Sequence, residues 1–313
     1  MQNLKQKGVT FHCMDEEAAG KYLKYNSYYF KLKAYAKNYT INPRNGHYVN
    51  LDFAYLVELS KIDMYLRQMI LTMCLDIEHL LKTRMLYDLS INTQENGYDI
   101  VEKYFAAYPG TKPSIDQKAT SYSIVSNLAE KHLDDSEKYA LWNVVELLSF
   151  GKFVELYTIY YQTYPSNNYS TYLGSIKFLR NAAAHNNCLI SSLKTPNGTK
   201  KFKKTKQLAN ALANAKEISE TSRNKKMSNP VIHDFVALLF VYNDLTKESA
   251  NRKMRDARMQ ELNHFFHNEN GRILKNKHYF EKNQLITETY KFVSSVIKYI
   301  LKQNSNPKHK RFL

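Results

Sequence analysis

Three polar residues interrupt an otherwise apolar stretch of the chain: Arg180, Asn181 and His185. On an α-helix Asn181 and His185 are four residues apart and share a face, whereas Arg180 lies about 140° from His185. An imidazole can move a proton at a ribose hydroxyl near neutral pH, and a guanidinium can hold a phosphate. These residue types therefore suit RNA cleavage without a metal, with the Asn181 amide orienting the imidazole or binding phosphate.

The same pattern also has a purely structural interpretation. Arginine and histidine separated by four residues occur by chance in many helical proteins, and His185 could be a core-edge histidine bonded to a carbonyl. The sequence contains no P-loop, dinucleotide-binding glycine pattern or His-Glu-x-x-His motif. Its three cysteines, Cys13, Cys74 and Cys188, match no metal-binding spacing, so we expect neither a metal nor another cofactor.

The distribution of charge points to a polyanionic partner. The 313 residues carry 45 Lys and Arg against 29 Asp and Glu, a net charge of +16. Residues 1–190 are nearly neutral, at +1, whereas residues 191–313 carry +15. An excess confined to one part of a chain is typical of nucleic-acid binding, although a merely solubilising surface would give the same count.

The basic residues of the last third form short clusters. The first cluster, residues 201–206, surrounds Phe202, which could stack on an unpaired base while the lysines contact phosphates. The second cluster lies at residues 223–226 and the third at residues 252–258. A solvated loop is the alternative for the first cluster, and pairing with Asp256 or Glu261 is the alternative for the third. The candidate RNA-binding residues are Lys201, Lys203, Lys204, Lys206, Arg223, Lys225, Lys226, Arg252 and Arg255.

The elements that must position these residues are helices. Nine glycines and seven prolines are too few for a many-stranded sheet, and apolar residues recur at spacings of three and four. The periodicity predicts helices over residues 16–38, 52–89, 170–190, 231–245 and 284–302. We expect an all-α fold with a helical core at 1–190, a basic linker or insertion at 191–230 and basic helices at 231–313 packed on the same core.

The acidic residues on apolar helices are candidates for buried ion pairs. Glu78 and Glu146 are expected to be partly buried and to pair with an arginine such as Arg67 or Arg84. The N-terminal residues lack an apolar run of signal-peptide length, and no stretch is long enough to span a membrane. With unpaired cysteines, this predicts a cytoplasmic protein without a membrane partner.

Four segments, in order, resemble the Abi family of bacterial abortive-infection proteins. Residues 179–187 are similar to its L-R-N-x-x-A-H signature, and residues 28–35 to its Y-Y-x-R-L-x-x-Y segment, with Lys31 in place of arginine. Residues 63–78 resemble its D-x-x-L-R helix with the following I-E, and residues 141–151 its L-W and E-x-L-S-F-G block. The similarity is strongest to the AbiF branch.

The resemblance implies a HEPN-like helical bundle with additional C-terminal helices. HEPN ribonucleases carry an R-x4–6-H motif at a helix end, and two copies meet across a dimer to form one site. Arg180 and His185 would then be catalytic, and Asn181 the polar residue after the arginine. The branch further implies a toxin of a toxin–antitoxin system in phage defence, restrained or guided by a small structured noncoding RNA. The alternative is an inactive HEPN module that binds RNA in a ribonucleoprotein; a DNA-binding regulator ranks lower, since no helix-turn-helix is recognisable.

The charge excess predicts that RNA affinity depends steeply on salt. If about six phosphates are contacted, raising monovalent salt from 50 to 200 mM should weaken binding of a single-stranded RNA by roughly 300-fold. Fluorescence anisotropy across a salt series measures the slope. A flat salt dependence would contradict a phosphate-dominated interface.

Overall fold

The computed structural model describes residues 2–120, 138–196, 202, 204–247, 252–269 and 271–304. Within these ranges there are helices, 3₁₀ turns and isolated bridges but no β-strand, which confirms the predicted all-α fold. The helices are α1 Gln2–Lys5, α2 Glu16–Tyr25, α3 Tyr29–Tyr35, α4 Phe53–Ile91, α5 Asp99–Ala107, α6 Thr111–Thr120, α7 Leu141–Leu147, α8 Phe150–Thr163, α9 Ser170–Ala184, α10 Lys206–Ala213, α11 Glu220–Lys226, α12 Pro230–Leu245, α13 Arg252–His267 and α14 Gln284–Asn304. Among the helices described, none is long and apolar enough to cross a membrane.

The chain divides into two compact units. The first unit contains Met1–Cys74 and Phe178–Leu313, and the second contains Leu75–Lys177. The units are defined by packing, whereas the boundaries predicted at residues 190 and 230 rest on the distribution of charge, which reports on the surface. Helices α4 and α9 each begin in one unit and end in the other, so both divisions fall inside a helix, where composition gives no signal.

The described residues of the segment 191–230 include two helices. These are α10 and α11, which bury Leu208, Leu212 and Lys226. The apolar side chains of α10 recur at helical spacing, so one face of this short helix is buried although its composition is polar. The segment is therefore a partly helical part of the first unit.

The core of the first unit is built around α12. Asn229 caps this helix, its Oδ1 accepting from the Val231 and Ile232 amides at 3.1 and 3.2 Å, and Pro230 occupies the first turn. Residues 235–242 are all buried. A helix that is apolar on every side has to be surrounded, and α14 packs against α11, α12 and α13 to do so.

The predicted first helix is divided, whereas the predicted second one is continuous. Residues 16–38 form α2, α3 and a 3₁₀ turn at Ala36–Asn38. The break follows Asn26, whose amide donates to the Tyr22 carbonyl at 2.9 Å, because asparagine and serine favour helix ends over helix interiors. Helix α4 runs uninterrupted for 39 residues.

The second unit buries a group of tyrosines on α8. Tyr157, Tyr160 and Tyr161 are all less than 5% exposed, and the rings of Tyr157 and Tyr161 lie 4.5 Å apart. The Tyr161 hydroxyl donates to Asp88 of α4 at 2.5 Å. A buried phenol needs such a hydrogen-bond partner, so this contact joins α8 to α4 within the unit.

Substitution by alanine is expected to have opposite effects on stability at two glycines, Gly271 and Gly20. A Cβ at Gly271 would clash with the His264 carbonyl oxygen, whereas one at Gly20, in α2, would meet no atom within 4 Å. Gly271→Ala should therefore destabilise the protein by about 1–3 kcal/mol, and Gly20→Ala should stabilise it by about 0.5–1 kcal/mol. Thermal unfolding of both variants provides the comparison; an unchanged melting temperature for Gly271→Ala would refute the close approach.

Candidate functional site

Arg180, Asn181 and His185 lie at the C-terminal end of α9. The helix ends at Ala184, earlier than the predicted residue 190, because Asn186 adopts the left-handed conformation with φ of +55°. The Asn186 amide donates to the Ala183 carbonyl at 3.1 Å and the Asn187 amide to the Ala182 carbonyl at 2.9 Å. This pair of bonds is a Schellman motif, for which asparagine is the usual substitute for glycine. It leaves His185 on the last turn.

The three side chains differ in exposure and contacts. His185 is exposed, whereas Arg180 and Asn181 are half-buried. Arg180 Nη1 donates to Asn181 Oδ1 at 3.3 Å, so the amide oxygen holds the guanidinium near the helix end. Within the described residues the His185 ring has no hydrogen-bond partner. The structure thus brings Arg180 and Asn181 into contact and leaves the imidazole open to an incoming group.

A buried ion pair fixes the chain that follows the motif. Asp63 and Arg67 form a salt bridge on α4 with almost no exposure of either side chain. The Tyr35 hydroxyl donates to Asp63 Oδ2 at 2.7 Å and the Ile190 amide to Asp63 Oδ1 at 3.0 Å. Arg67 Nη1 also donates to the Asn187 carbonyl at 3.4 Å. We call residues 187–194, held in this way, the strap.

The electrostatics of this pair follow from its burial. Loss of solvation raises the pKa of the Asp63 carboxyl, while the Tyr35 hydroxyl, Arg67 and the Ile190 amide oppose the rise by stabilising the carboxylate. Burial, followed by the neighbouring Asp63 charge, raises the pKa of the Tyr35 phenol, which therefore remains a hydrogen-bond donor. The result is an aspartate surrounded by donors that tie α3, α4 and the strap together.

Asn38 provides a second attachment of the strap. Its Nδ2 donates to the Ile190 carbonyl at 2.8 Å, and its Oδ1 accepts from the Leu193 amide at 2.8 Å. Asn229 Nδ2 donates to the carbonyls of Ser192, at 3.1 Å, and Lys194, at 2.9 Å. Because the side-chain amides satisfy the strap's backbone groups, an irregular segment can be partly buried here.

The expected partners of the acidic residues were wrong. Arg67 pairs with Asp63, and Glu78 pairs with Lys82 at 3.2 Å instead of with an arginine. Glu146 is exposed. The spacing of Asp63 and Arg67, four residues apart on an apolar helix, is the sequence signal that could have identified the pair. Nothing in the sequence singles out Asn38.

The candidate RNA-binding residues fall into four groups, the last of which is buried. Lys201 and Lys203 lie outside the described residues. Lys206, Lys225 and Arg252 are exposed. Lys204 and Arg223 are half-buried, and Lys204 Nζ donates to the Asn224 carbonyl at 3.3 Å. Exposed and half-buried members remain accessible to a phosphate and stay candidates.

Two of the basic candidates are buried and require correction. Lys226 is 3% exposed; its Nζ donates to Thr289 Oγ1 at 2.9 Å and lies 3.5 Å from Glu288. Burial lowers the pKa of Lys226, and Glu288 partly restores it. Arg255 is 7% exposed and donates twice to Asp256 Oδ1. Both cations face protein partners, so we remove them from the RNA-binding set.

The buried pair can be compared with an exposed pair of the same spacing. Asp63→Asn keeps the shape but leaves Arg67 without its counter-ion, and it should lower the free energy of unfolding by about 3 kcal/mol. Glu17→Gln is the control, because Glu17 and Lys21 are mostly exposed and the change should cost less than about 1 kcal/mol. Chemical denaturation measures both; equal effects would show that Asp63 is not a structural anchor.

Comparison with known proteins gives one match, to a family model. The family model of Abi-like proteins matches residues 21–191, which is more than half of the chain. The match begins within α2 and covers α3 through α9, so it includes Asn38, Asp63, Arg67 and the motif. No curated protein and no solved structure matches the chain. The part of the chain that the structure describes has no group of three or more His, Cys, Asp or Glu able to hold a metal ion. The chain thus belongs to the Abi-like protein family, which is associated with abortive infection as a defence against phage.

Proposed function

We propose that this protein is a metal-independent endoribonuclease of the HEPN type that acts as a toxin in phage defence. The observation that carries the proposal is the placement of Arg180, Asn181 and His185 together on the last turns of α9, with His185 exposed. A substrate phosphate can approach this helix end from solvent, since Ala184 and Asn186 next to the histidine are small and exposed. Family membership supports the setting in phage defence.

The proposed chemistry uses the ribose of the substrate as nucleophile. The 2′-oxygen attacks the phosphorus, the bond from phosphorus to the 5′-oxygen breaks, and a 2′,3′-cyclic phosphate and a 5′-hydroxyl result. One proton leaves the 2′-hydroxyl and one arrives at the 5′-oxygen; His185 carries out one of these transfers. Arg180 binds the phosphate and offsets the developing negative charge, while Asn181 holds Arg180 in place.

The proposed partner is a small structured noncoding RNA that restrains or guides the nuclease. The net charge of +15 on residues 191–313 supports binding of a polyanion. Of the candidate RNA-binding residues that the structure describes, Lys204, Lys206, Arg223, Lys225 and Arg252 remain available to it. We further propose a homodimer through the motif, which would bring Arg180 of one copy towards His185 of the other.

A second candidate function has an observation in its favour. Arg180 Nη1 donates to Asn181, and among the described residues no hydrogen bond joins Arg180 to His185. A single chain therefore does not hold the guanidinium and the imidazole against each other. An RNA-binding module without cleavage, acting in a ribonucleoprotein, is consistent with this arrangement.

Substitution of His185 separates the two functions. His185→Ala should reduce cleavage of a labelled RNA in the presence of EDTA by at least about a hundredfold, because the proton transfer is lost. RNA affinity should change by less than about threefold, since the phosphate-binding groups remain. His47→Ala, at another exposed histidine, is the control and should cut normally.

The cleavage products, the His185→Ala variant and the wild-type protein each provide a test that could contradict the proposed ribonuclease activity. End-group analysis should find 2′,3′-cyclic phosphates on the wild-type products. Undiminished cleavage by His185→Ala would refute the catalytic role of this residue. Tight RNA binding by the wild-type protein without any cleavage would favour the binding module.

A further inference from the structure

A polar cleft lies at the end of the strap, within the first unit. It has a volume of about 340 Å³ and is lined by residues 38–40, 49–50 and 282–285, which include one of its three lysines, together with the two other lysines and one glutamate. The lysines are Lys194, Lys225 and Lys282, and all three are exposed. Among the described residues that line the cleft, Glu288 is the one acid. The cleft therefore presents an excess of positive charge in a concave, amide-rich surface.

The three lysines are only weakly engaged by protein groups. Lys194 Nζ donates to the Tyr39 carbonyl at 3.5 Å, and Lys225 Nζ lies 3.6 Å from Glu288. Within the described residues Lys282 has neither an ion-pair partner nor a side-chain hydrogen bond. Long, weak contacts of this kind are easily exchanged for contacts to a bound anion, which offers shorter hydrogen bonds.

Glu288 occupies the position of a competing anion. Its Oε2 lies 3.5 Å from Lys226 Nζ and 3.6 Å from Lys225 Nζ. Burial raises the pKa of the Glu288 carboxyl, but the charges of Lys225 and Lys226 outweigh this effect and hold the pKa below its ordinary value. A second anion in the cleft would compete with this carboxylate for Lys225, so Glu288 should limit the affinity of the cleft for an anion.

The cleft is connected to the motif by a short, fixed segment. Lys194 follows His185 by nine residues, which bounds their separation at roughly 30 Å. Asn38, which lines the cleft, also holds the Ile190 carbonyl and the Leu193 amide. An extended ligand bound at His185 can therefore reach the cleft, and the strap keeps the two places at a constant distance.

We propose that this cleft is a phosphate subsite, in which Lys194, Lys225 and Lys282 bind a phosphate group of the RNA away from the one that is cleaved. The proposal rests on the RNA binding proposed above and adds the location, the residues and the competing carboxylate. A free nucleotide presents the same chemistry, a phosphate with a hydrogen-bonding base, and is the second source of the ligand.

Two substitutions should change RNA affinity in opposite directions. In full-length protein carrying His185→Ala, so that the RNA stays intact, Lys282→Ala should weaken binding of a labelled single-stranded RNA by about fivefold. Glu288→Gln should strengthen it by a similar factor, because the competing negative charge is removed. The control is Lys298→Ala, at an exposed lysine on α14, the helix that carries Glu288. Lys298 lies about 21 Å along the helix from Gln284, so this substitution should change RNA affinity by less than twofold.

The outcomes distinguish this subsite from the proposed function. Melting temperatures close to wild type ensure that the variants are folded. An effect of Lys282→Ala no larger than that of Lys298→Ala, or weaker binding by Glu288→Gln, would overturn the subsite while leaving RNA cleavage at His185 untouched.

Titration with inorganic phosphate and with a nucleoside 5′-monophosphate identifies the source of the ligand. Competition of both with RNA, lost in Lys282→Ala, supports the RNA subsite. Nucleotide binding that depends on Lys282 without any effect on RNA affinity assigns the cleft to a free nucleotide and overturns the RNA assignment. These titrations remain informative if the protein proves to cut no RNA.

Discussion

The buried pair of Asp63 and Arg67 is the interaction on which the candidate site depends. Two charges in a protein interior are costly unless their remaining hydrogen-bonding groups are satisfied. Here the Tyr35 hydroxyl and the Ile190 amide complete the shell of Asp63, and the Asn187 carbonyl accepts from Arg67. The cost of burying the pair therefore dictates where the chain has to pass after α9, because its backbone supplies the missing partners.

This constraint explains how an exposed motif can be held in a defined position. His185 lies on the last turn of a helix that ends in a Schellman motif, and the strap that follows is attached to Asp63, Asn38 and Asn229. A helix end followed by a free loop would move, and so would any side chain on it. Anchoring the backbone on both sides of the turn fixes the helix end from which exposed His185 and half-buried Arg180 project.

The positive charge of the last third has two roles that composition cannot separate. Lys226 and Arg255 are buried against protein partners and contribute to the fold, whereas Lys194, Lys225 and Lys282 border an open cleft. Neighbouring residues can differ in this way because successive positions on a helix face different directions: Lys225 points to solvent, and Lys226 points to Thr289. The net charge counts all of these cations alike, and the fold decides which of them are accessible.

The sequence by itself determined the all-α class, the family and the three residues at the end of α9, because helical periodicity and a contiguous motif are local properties. It also predicted the long α4 and the apolar α12, whose patterns are strong. Tertiary structure decided the attachment of the strap to Asp63, the role of Asn38 and the two compact units. Each of these depends on groups far apart in the chain, up to 155 residues for Asn38 and Leu193, whose proximity no local pattern records.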